Sequence, residues 1–344
     1  MKPIVLGDKK VGDGHPCYVI AEIGGLFQSF DEAKRLIDQS IEIGIDAVKF
    51  QTLEAETITT KNNFFDMEAT GKVLQYDVFK KFELSKELQR KVVNYANDCG
   101  IMIFSAPSHI KDLDIMKEME LPIYKIGSDL ACHIPLLEQV AEIGKPIILS
   151  TGMCNLEDVK YSVDAIRGSN NKDIALLHCV SDYPCHINET NLNAILTMKN
   201  EFQIPVGLSD HNIGSLTSLG AATLGANLIE KHFRHEKNTP SSDDVHAINA
   251  LEFKKLIEDI RKIEIAKGNG VKHPTDSEIK NMQNNRVSII IVQDLPKGTM
   301  LTEEMIDIRR PGTGILPRYY KSVLGKRVKK DVKCEDPLTF ELIE

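Results

Sequence analysis

The first three-quarters of the chain alternate between two hydrophobic patterns. Short runs rich in β-branched residues stay apolar on both faces, which is typical of strands in a parallel sheet covered by helices. Between them lie segments such as Phe30–Ile43 and Lys86–Cys99, whose apolar residues recur at three- and four-residue spacing, as in amphipathic helices. The strand-like runs are Tyr18–Gly24, Ala47–Thr52, Ile101–Ala106, Ile123–Ser128, Pro146–Gly152, Ile174–Val180, Pro205–Asp210 and Leu228–Phe233.

Eight strand–helix units predict the α/β class and, within it, a closed (β/α)8 TIM barrel rather than an open sheet. The segment Pro3–Pro16 places glycines around a charged turn, and we expect it to form a hairpin that caps the barrel floor. We assign residues 1–270 to this barrel domain.

The alternation stops after Lys267–Gly270. Residues 271–285 are polar and carry few large apolar side chains, so we assign them to a linker. Residues 286–344 then show a strand-like run, a Lys297-Gly298 turn and a short helix at Thr302–Met305. A compact domain of this size is marginal alone, and we expect it to dock on something larger.

Composition narrows the possible partners. Lysines and arginines number 42 against 50 aspartates and glutamates, a net charge of -8 without a basic stripe, which argues against a nucleic-acid partner. No stretch approaches the ~18 apolar residues of a membrane span, and the N-terminus reaches Asp8-Lys9-Lys10 before a signal-like core forms. The seven cysteines are odd in number and lack CxxC spacing, which favours a reducing cytoplasm.

Polar side chains cluster where the predicted strands end, which is the catalytic face of such barrels. Lys49 and Lys125 lie within strand cores, where an unpaired lysine is rare, so together they indicate a cradle for a phosphate or carboxylate. Each serine alone is better explained as a helix cap, and only the joint placement carries weight. The other strand-end polar residues are Glu22, Gln51, Ser105, Ser128, Ser150 and Ser181.

Two histidines end successive strands. Gly207–His211 and Ile229–Phe233 are short apolar runs that finish in polar clusters, so His211 and His232 should emerge side by side. With the acidic loop Asp243-Asp244 nearby, this ligand set suits a manganese, iron or zinc ion. We expect His178 to be a core imidazole satisfied by a backbone carbonyl. His235 and His246 are expected in loops, from which either could reach the same pocket.

Seven short motifs occur in order: Ile20–Gly24, Val48–Thr52, Tyr124–Ser128, Leu149–Met153, Gly207–His211, Glu230–Phe233 and Arg310–Gly314. Together they resemble the sialic acid synthases and the bacterial relatives that make legionaminic and pseudaminic acids. The resemblance spans nearly the whole chain, and the tail resembles the antifreeze-like SAF domain of that family.

The resemblance implies a condensation reaction. The enzyme would join phosphoenolpyruvate to an open-chain N-acyl amino sugar, N-acetylmannosamine or a 2,4-diacetamido-trideoxyhexose, to give a nine-carbon 2-keto acid and phosphate. His211 and His232 would hold Mn²⁺ or Mg²⁺, which polarises the sugar aldehyde. Glu22 matches the family's catalytic glutamate, which handles the proton of the water that adds at C2.

The same resemblance assigns the remaining site residues. Arg310 resembles the arginine that the terminal domain of one subunit inserts into its partner's active site, which implies a domain-swapped homodimer in the cytoplasm. Residues matching those that hold the phosphate and carboxylate of phosphoenolpyruvate are Lys49, Lys125, Ser128 and Ser150, those on the sugar side are Gln51, Tyr183 and Asp243, and Ser105 and Ser181 are also placed in the substrate site.

Several residues near the substrate depart from the family pattern. Gly25–Gln28 stands in place of a usual Asn-His-x-Gly segment, and Phe50 stands where N-acetylneuraminate synthases often have histidine, which favours a legionaminic-like or other bacterial sugar. We interpret the changes as an altered sugar pocket with rearranged phosphate contacts, because the metal pair, Glu22, both lysines and Arg310 remain. The other changed positions are Ala106, Leu130, Cys132, Ser181 and Ser241–Asp243.

Two alternatives stay open. One is a barrel that condenses phosphoenolpyruvate with a phosphorylated sugar. The fused terminal domain argues against this alternative, and a phosphorylated sugar would also need a second anion site. The other is a catalytically silent barrel that acts as a binding partner, motivated by the substitutions near the substrate.

Overall fold

The computed structural model describes residues 2–67 and 71–344, and the chain divides into two compact units after Gly268. The strands are β1 (Ile4–Leu6), β2 (Lys9–Val11), β3 (Tyr18–Glu22), β4 (Ala47–Thr52), β5 (Phe64–Met67), β6 (Gly71–Leu74), β7 (Met102–Pro107), β8 (Tyr124–Ile126), β9 (Ile147–Ser150), β10 (Ile174–Cys179), β11 (Val206–Asp210), β12 (Leu228–His232), β13 (Ser288–Ile291) and β14 (Ile306–Arg309). The helices are α1 (Phe30–Ile43), α2 (Ala55–Ile58), α3 (Gln75–Phe82), α4 (Lys86–Asp98), α5 (Asp112–Glu118), α6 (Ile134–Glu142), α7 (Leu156–Gly168), α8 (Asn193–Phe202), α9 (Leu216–Thr223), α10 (Ala250–Lys267), α11 (Asp276–Asn285) and α12 (Tyr320–Val323).

The predicted barrel is confirmed. In the described residues of the first unit, β3, β4, β7, β8, β9, β10, β11 and β12 pair in parallel in that order, and β12 closes the barrel on β3. All eight predicted strand segments correspond to these strands, with ends that differ by one or two residues in most cases. The antiparallel hairpin β1–β2 also forms where it was expected.

Side chains inside the barrel change from apolar to polar along most of its strands. At the amino-terminal end, Ile20 and Leu177 pack with Leu6 of the hairpin in one buried cluster, so the hairpin closes the floor. Because strand side chains alternate in direction, the residue two positions after each of these apolar side chains also faces inward. Glu22 follows Ile20 in this way, and Cys179 follows Leu177. The polar site therefore rests on a packed apolar plug.

The larger core lies between the barrel strands and the surrounding helices. Helix α1 shows how local sequence fixes one of them: Ser29 and Glu32 form a reciprocal capping box at its start, and Gly44 ends it at φ 79°. Leu36 and Ile37 of this helix are fully buried against the barrel.

The segment between β4 and α4 holds elements that the sequence pattern did not predict. It contains the short helix α2, the antiparallel hairpin β5–β6 and helix α3. Phe65 of the hairpin packs edge-on against Phe79 of α3, with ring centres 5.5 Å apart. This excursion follows the carboxyl end of β4, on the same side as the polar strand ends.

The second unit has its own small core, which includes Ile289, Leu301 and Val328. Residues 271–285, assigned to a linker from their polarity, contain helix α11, which begins with a capping box between Thr275 and Glu278. The short helix expected at Thr302–Met305 is a single 3₁₀ turn. Across the described parts of the chain, every helix is too short or too polar to span a bilayer.

Candidate active site

The strand register places three candidate residues side by side at the carboxyl end of the barrel. His232 on β12 lies opposite Glu22 on β3, and Glu22 lies opposite Lys49 on β4. All three are nearly or fully buried. The structure thus brings together the proton-handling carboxylate, one phosphate-binding lysine and one metal-binding imidazole that the sequence proposed.

Glu22 is held by contacts on both of its oxygens. Lys49 forms an ion pair with Oε2, and the backbone N–H of Gly24 donates to Oε1. A Cβ on Gly24 would overlap Glu22 Oε1 and lie 2.7 Å from Gln51 Cγ, so only glycine allows this turn to approach the carboxylate. The carboxylate is fixed in place before any substrate binds.

A second buried carboxylate, Glu230, was not given a role from the sequence. Its Oε1 lies 3.4 Å from Lys125 Nζ and 3.8 Å from Lys49 Nζ, and it accepts a hydrogen bond from Ser209 at 3.0 Å. Lys125 also donates to Ser150 Oγ at 2.8 Å. Two lysines inside a barrel need buried counter-charges, and that requirement was the sequence signal for Glu230.

Burial and neighbouring charges shift the pKa values of Lys49 and Glu230. Burial lowers the pKa of Lys49 to about 8, with Lys125 adding to the effect against the attraction of Glu230. Burial alone would raise the pKa of Glu230, but Lys125 and Lys49 outweigh it and hold that pKa at about 2. Glu230 is therefore a fixed negative charge, whereas Lys49 loses its proton far more easily than an exposed lysine.

Hydroxyl groups surround the two lysines. The N–H of Gly152 donates to Ser128 Oγ at 2.9 Å, and a Cβ on Gly152 would meet both Ser128 Oγ and Ser181 Oγ. Ser181 Oγ is buried without a hydrogen-bond partner among the described residues. An unsatisfied buried hydroxyl in the cavity that both lysines line is a suitable donor to an anionic ligand.

The two expected metal-binding imidazoles are neighbours. The ring centres of His211 and His232 lie 5.5 Å apart, and Tyr183 stacks on His211 at 4.1 Å. His211 Nδ1 lies 2.8 Å from the carbonyl oxygen of Val180, which can only accept, so Nδ1 carries a proton and Nε2 is the ring nitrogen left to face a ligand. Such a backbone partner is the usual arrangement behind a metal-binding histidine.

Asp243 and His246 complete this cluster. Asp243 Oδ2 lies 3.3 Å from His232 Nδ1, and ligand atoms of His232, Asp243 and His246 all lie within 4.8 Å of one another. Burial lowers the pKa of His232, and it lowers that of His246 to about 2, so both rings stay neutral, the form that binds metals. Burial works against ionisation of Asp243, but His232 keeps its pKa at about 2.

A divalent cation fits this cluster on two grounds. Both ring nitrogens of His246 are buried without hydrogen-bond partners among the described residues, a costly state that a ligand would relieve. Around the cavity, the described carboxyl groups of Glu22, Asp129, Glu230 and Asp243 also outnumber the ammonium groups of Lys49 and Lys125. A bound dication would balance that charge before an anionic substrate enters.

These groups open into a cavity of about 560 Å³ with two different ends. One end carries the lysines, serines and imidazoles, with Gln51 also on the wall. The other end is formed largely by the excursion after β4 and is apolar. Its lining side chains include Leu53, Ile58, Phe65, Val78, Phe79 and Phe82, which we call the apolar wall.

Some proposed residues lie elsewhere. Ser105 is fully buried, bonds Thr52 Oγ1 at 2.7 Å and the Phe50 carbonyl at 3.2 Å, and does not line the cavity, because it alternates with the inward-facing Phe104. Phe50 itself packs toward the helices, so it does not contact a sugar in the cavity. Arg310 is exposed within the second unit.

The other histidines follow expectation in part. His178 lies 2.7 Å from the Thr190 carbonyl through Nε2, so it is a satisfied structural imidazole. His235 Nδ1 accepts the N–H of Lys237 at 3.0 Å in a loop. His246, expected in a loop within reach of the same pocket, lies directly after a 3₁₀ turn and is packed inside the cluster, with only 1% of its surface exposed.

Comparisons with known proteins agree with this architecture. The profile of the NeuB family matches residues 36–272, and that of the SAF domain matches residues 286–344. The N,N'-diacetyllegionaminic acid synthase of Legionella pneumophila is 35% identical over 98% of this chain and 98% of its own length. The pseudaminic acid synthase of Helicobacter pylori is 32% identical over 96% of this chain and 98% of its own. The crystal structure of the sialic acid synthetase of Leptospira borgpetersenii matches 82% of this chain and 95% of that protein, with a TM-score of 0.74 and 29% identity.

Proposed function

The chain belongs to the NeuB family, and on that premise we propose that it is a nonulosonic acid synthase. It condenses phosphoenolpyruvate with an open-chain N-acyl amino sugar, giving a nine-carbon 2-keto acid and phosphate. The observation that carries the proposal is the convergence on one cavity of the Glu22–Lys49 pair, the Lys125–Glu230 pair and the imidazoles of His211 and His232.

Phosphoenolpyruvate binds at the basic end of the cavity. Lys49 and Lys125 supply ammonium groups for its phosphate and carboxylate, and Ser181 Oγ is a hydroxyl donor without another partner among the described residues. Glu22 and Glu230 hold the two lysine side chains in place through ion pairs, so little reorganisation is needed on binding.

The sugar aldehyde lies next to the bound phosphoenolpyruvate, beside the histidines. A divalent cation held by His211 and His232, given by the resemblance as Mn²⁺ or Mg²⁺, supplies Lewis-acid polarisation of the aldehyde oxygen when bound. The C2=C3 π electrons of phosphoenolpyruvate then form a bond to the aldehyde carbon, the aldehyde oxygen takes up a proton to become a hydroxyl group, and positive character is left at C2. A water oxygen bonds to C2 with loss of one proton. The C2–O bond to phosphate then breaks as the new C2 hydroxyl loses its proton and becomes the keto group.

Glu22 takes the proton from that water. Its carboxylate is fixed by the Gly24 N–H and by Lys49, and its negative charge also stabilises the cationic C2. A neutral side chain of the same shape would provide neither effect.

The apolar wall favours a deoxygenated sugar. Phe65, Val78 and Phe79 offer methyl and methylene contacts rather than hydrogen bonds to hydroxyl groups, which suits the C6 methyl and N-acyl methyls of a 2,4-diacetamido-trideoxyhexose. Among the described cavity-lining residues, the lysine and arginine side chains are Lys49 and Lys125, both at the phosphoenolpyruvate end. A sugar phosphate would therefore meet apolar side chains instead of a second anion site.

Arg310 suggests how two chains cooperate. It follows β14 directly and is exposed in the SAF domain, where it is available to another surface. We assign it to the active site of a partner subunit, in a homodimer that exchanges SAF domains. A cytoplasmic location suits the seven free cysteines, which stay reduced there.

A substrate panel tests the proposed function. Phosphate release from phosphoenolpyruvate should require both a divalent metal and a sugar, with the 2,4-diacetamido-trideoxyhexose preferred over N-acetylmannosamine and over its 6-phosphate, and mass analysis should find the nine-carbon acid. Preference for the 6-phosphate would select the phosphorylated-sugar alternative. The absence of release with every sugar would favour a silent barrel.

A further inference from the structure

A third imidazole lies beside the pair that the sequence proposed as metal ligands. His246 follows a 3₁₀ turn (Ser242–Val245) that begins with a capping box between Ser241 and Asp244. Its N–H donates to the Asp243 carbonyl at 3.2 Å, so the backbone that positions Asp243 also positions His246. The ring is 1% exposed, and neither of its nitrogens has a hydrogen-bond partner among the described residues.

The three imidazole rings lie close together, and the ligand atoms that come within 4.8 Å of one another are those of His232, Asp243 and His246. Nitrogen–metal bonds of about 2.0–2.1 Å place the centres of rings that share an ion about 4.5–6 Å apart. The observed separations are 4.5 Å for His232–His246, 5.5 Å for His211–His232 and 5.8 Å for His211–His246. A histidine ring that only filled space would cost stability here, because its two buried nitrogens lack hydrogen-bond partners. A metal ion would satisfy one of them.

We propose that His246 is a third protein imidazole ligand of the divalent metal, beside His211 and His232, with Asp243 as a neighbouring carboxylate. The inference rests on the metal site of the proposed function and adds a ligand to it. It rests on the closeness of His232, Asp243 and His246 and on the orphaned nitrogens of His246.

A third nitrogen ligand changes which ions the site prefers. Mg²⁺ favours oxygen ligands, whereas imidazole suits Zn²⁺, Co²⁺ and Fe²⁺. We expect the full chain to bind Zn²⁺ and Co²⁺ with much higher affinity than Mn²⁺, and Mg²⁺ with the lowest affinity. These differences in affinity should be larger than those of a site with only two imidazoles.

Pulsed EPR of the Mn²⁺-loaded full-length protein tests the ligand count without any mutation. Coupling to three imidazole nitrogens is expected, and coupling to two would overturn the proposal even if no variant at position 246 folds. If the wild-type protein binds none of Mn²⁺, Co²⁺ or Zn²⁺, the metal dependence in the proposed function fails as well.

Matched variants give a second readout. His246→Ala should weaken Co²⁺ and Zn²⁺ binding by at least about tenfold in titrations followed by visible absorption and by dye competition. It should change Mn²⁺ binding less, and its thermal unfolding should remain cooperative. His235→Ala, which alters a nearby loop histidine bonded to Lys237, should leave all affinities unchanged. Equal Zn²⁺ affinity for His246→Ala and wild type would contradict the proposal while leaving the proposed function intact.

Discussion

At the scale of single residues, Glu22 combines complete burial with contacts on both carboxylate oxygens. Its ion pair with Lys49 and its contact with the Gly24 N–H hold the carboxylate at the position proposed for water addition. This position makes its role separable from metal binding, because the described metal-site candidates are His211, His232, Asp243 and His246.

Replacing Glu22 with Gln removes the charge and keeps the shape. We expect turnover to fall by at least about a hundredfold, the usual scale of lost acid–base assistance. Steady-state phosphate release measures turnover, and calorimetric titration of the metal serves as the control, which should be unchanged. Near-normal turnover would remove Glu22 from the mechanism.

Lys49 should make phosphoenolpyruvate capture sensitive to alkaline pH. Because burial lowers its pKa to about 8 in the free protein, the cation that binds phosphate is present below that pH and is lost as the pH rises through it. The value of kcat/KM for phosphoenolpyruvate should then fall about tenfold per pH unit above pH 8. Lys49→Arg, which stays charged, should show no such fall if it retains activity. A flat wild-type profile from pH 7 to 10 would refute this assignment.

The sequence predicted site residues correctly where the alternation of side chains along a strand was taken into account. Glu22, Lys49, Lys125 and Ser150 each face inward at the end of a strand, as expected. Ser105 was proposed although it alternates with inward-facing Phe104, and strand periodicity could have excluded it. The sequence placed His235 and His246 in loops within reach of the pocket but could not say which of them enters it, because that depends on how the loop folds over the cluster.

At the scale of elements, two turns approach the site so closely that only glycine fits. These are the turns after β3 and β9, at Gly24 and Gly152. They deliver backbone N–H groups to Glu22 and Ser128, respectively.

Gly152→Ala tests the second of these turns. The new Cβ would collide with Ser181 Oγ and lie 2.8 Å from Ser128 Oγ, so the hydroxyls around the phosphate must move. We expect KM for phosphoenolpyruvate to rise about tenfold, the scale of one lost hydrogen bond to a charged group. Gly168→Ala, at the end of α7 with open space around the added carbon, is the matched control and should behave as wild type. An unchanged KM in both variants would argue against close packing at this turn.

The apolar wall should control the sugar rather than phosphoenolpyruvate. Phe79→Ala removes an aromatic face that lines the cavity and packs on Phe65, and burial of such a side chain is worth about 1.5–3 kcal/mol. KM for the deoxy sugar should rise by about tenfold or more, whereas KM for phosphoenolpyruvate should stay the same. Phe64→Ala, an exposed position in the same hairpin that does not line the cavity, is the control. Equal effects on both substrates would show that the wall supports the fold instead.

The sequence pattern predicted the barrel because each strand and helix there has a regular period that repeats. It did not predict the hairpin β5–β6, since this segment is short, carries mixed polar and aromatic residues and lacks a repeating period. The sequence therefore did not predict the apolar wall, which we assign to the sugar, although it predicted the lysines and serines that we assign to phosphoenolpyruvate.

At the scale of the whole molecule, the chain joins a barrel that carries most of the proposed site to a SAF domain that carries Arg310. A mixture of variants tests whether sites are shared between subunits. Glu22→Gln and Arg310→Ala should each have little activity, because each lacks one part of every site. When they are mixed under conditions that allow subunit exchange, dimers with one intact composite site should restore part of the activity. No recovery, despite exchange shown by mass labelling, would count against the swapped arrangement.

The most direct test of the account follows the oxygen that links phosphate to C2 of phosphoenolpyruvate. With ¹⁸O at that bridging position, attack of water on C2 followed by C–O cleavage should place the label in inorganic phosphate, and only when the sugar is present. Mass spectrometry of the released phosphate gives the result. Unlabelled phosphate, or labelled phosphate released without sugar, would contradict the proposed condensation at the mouth of this barrel.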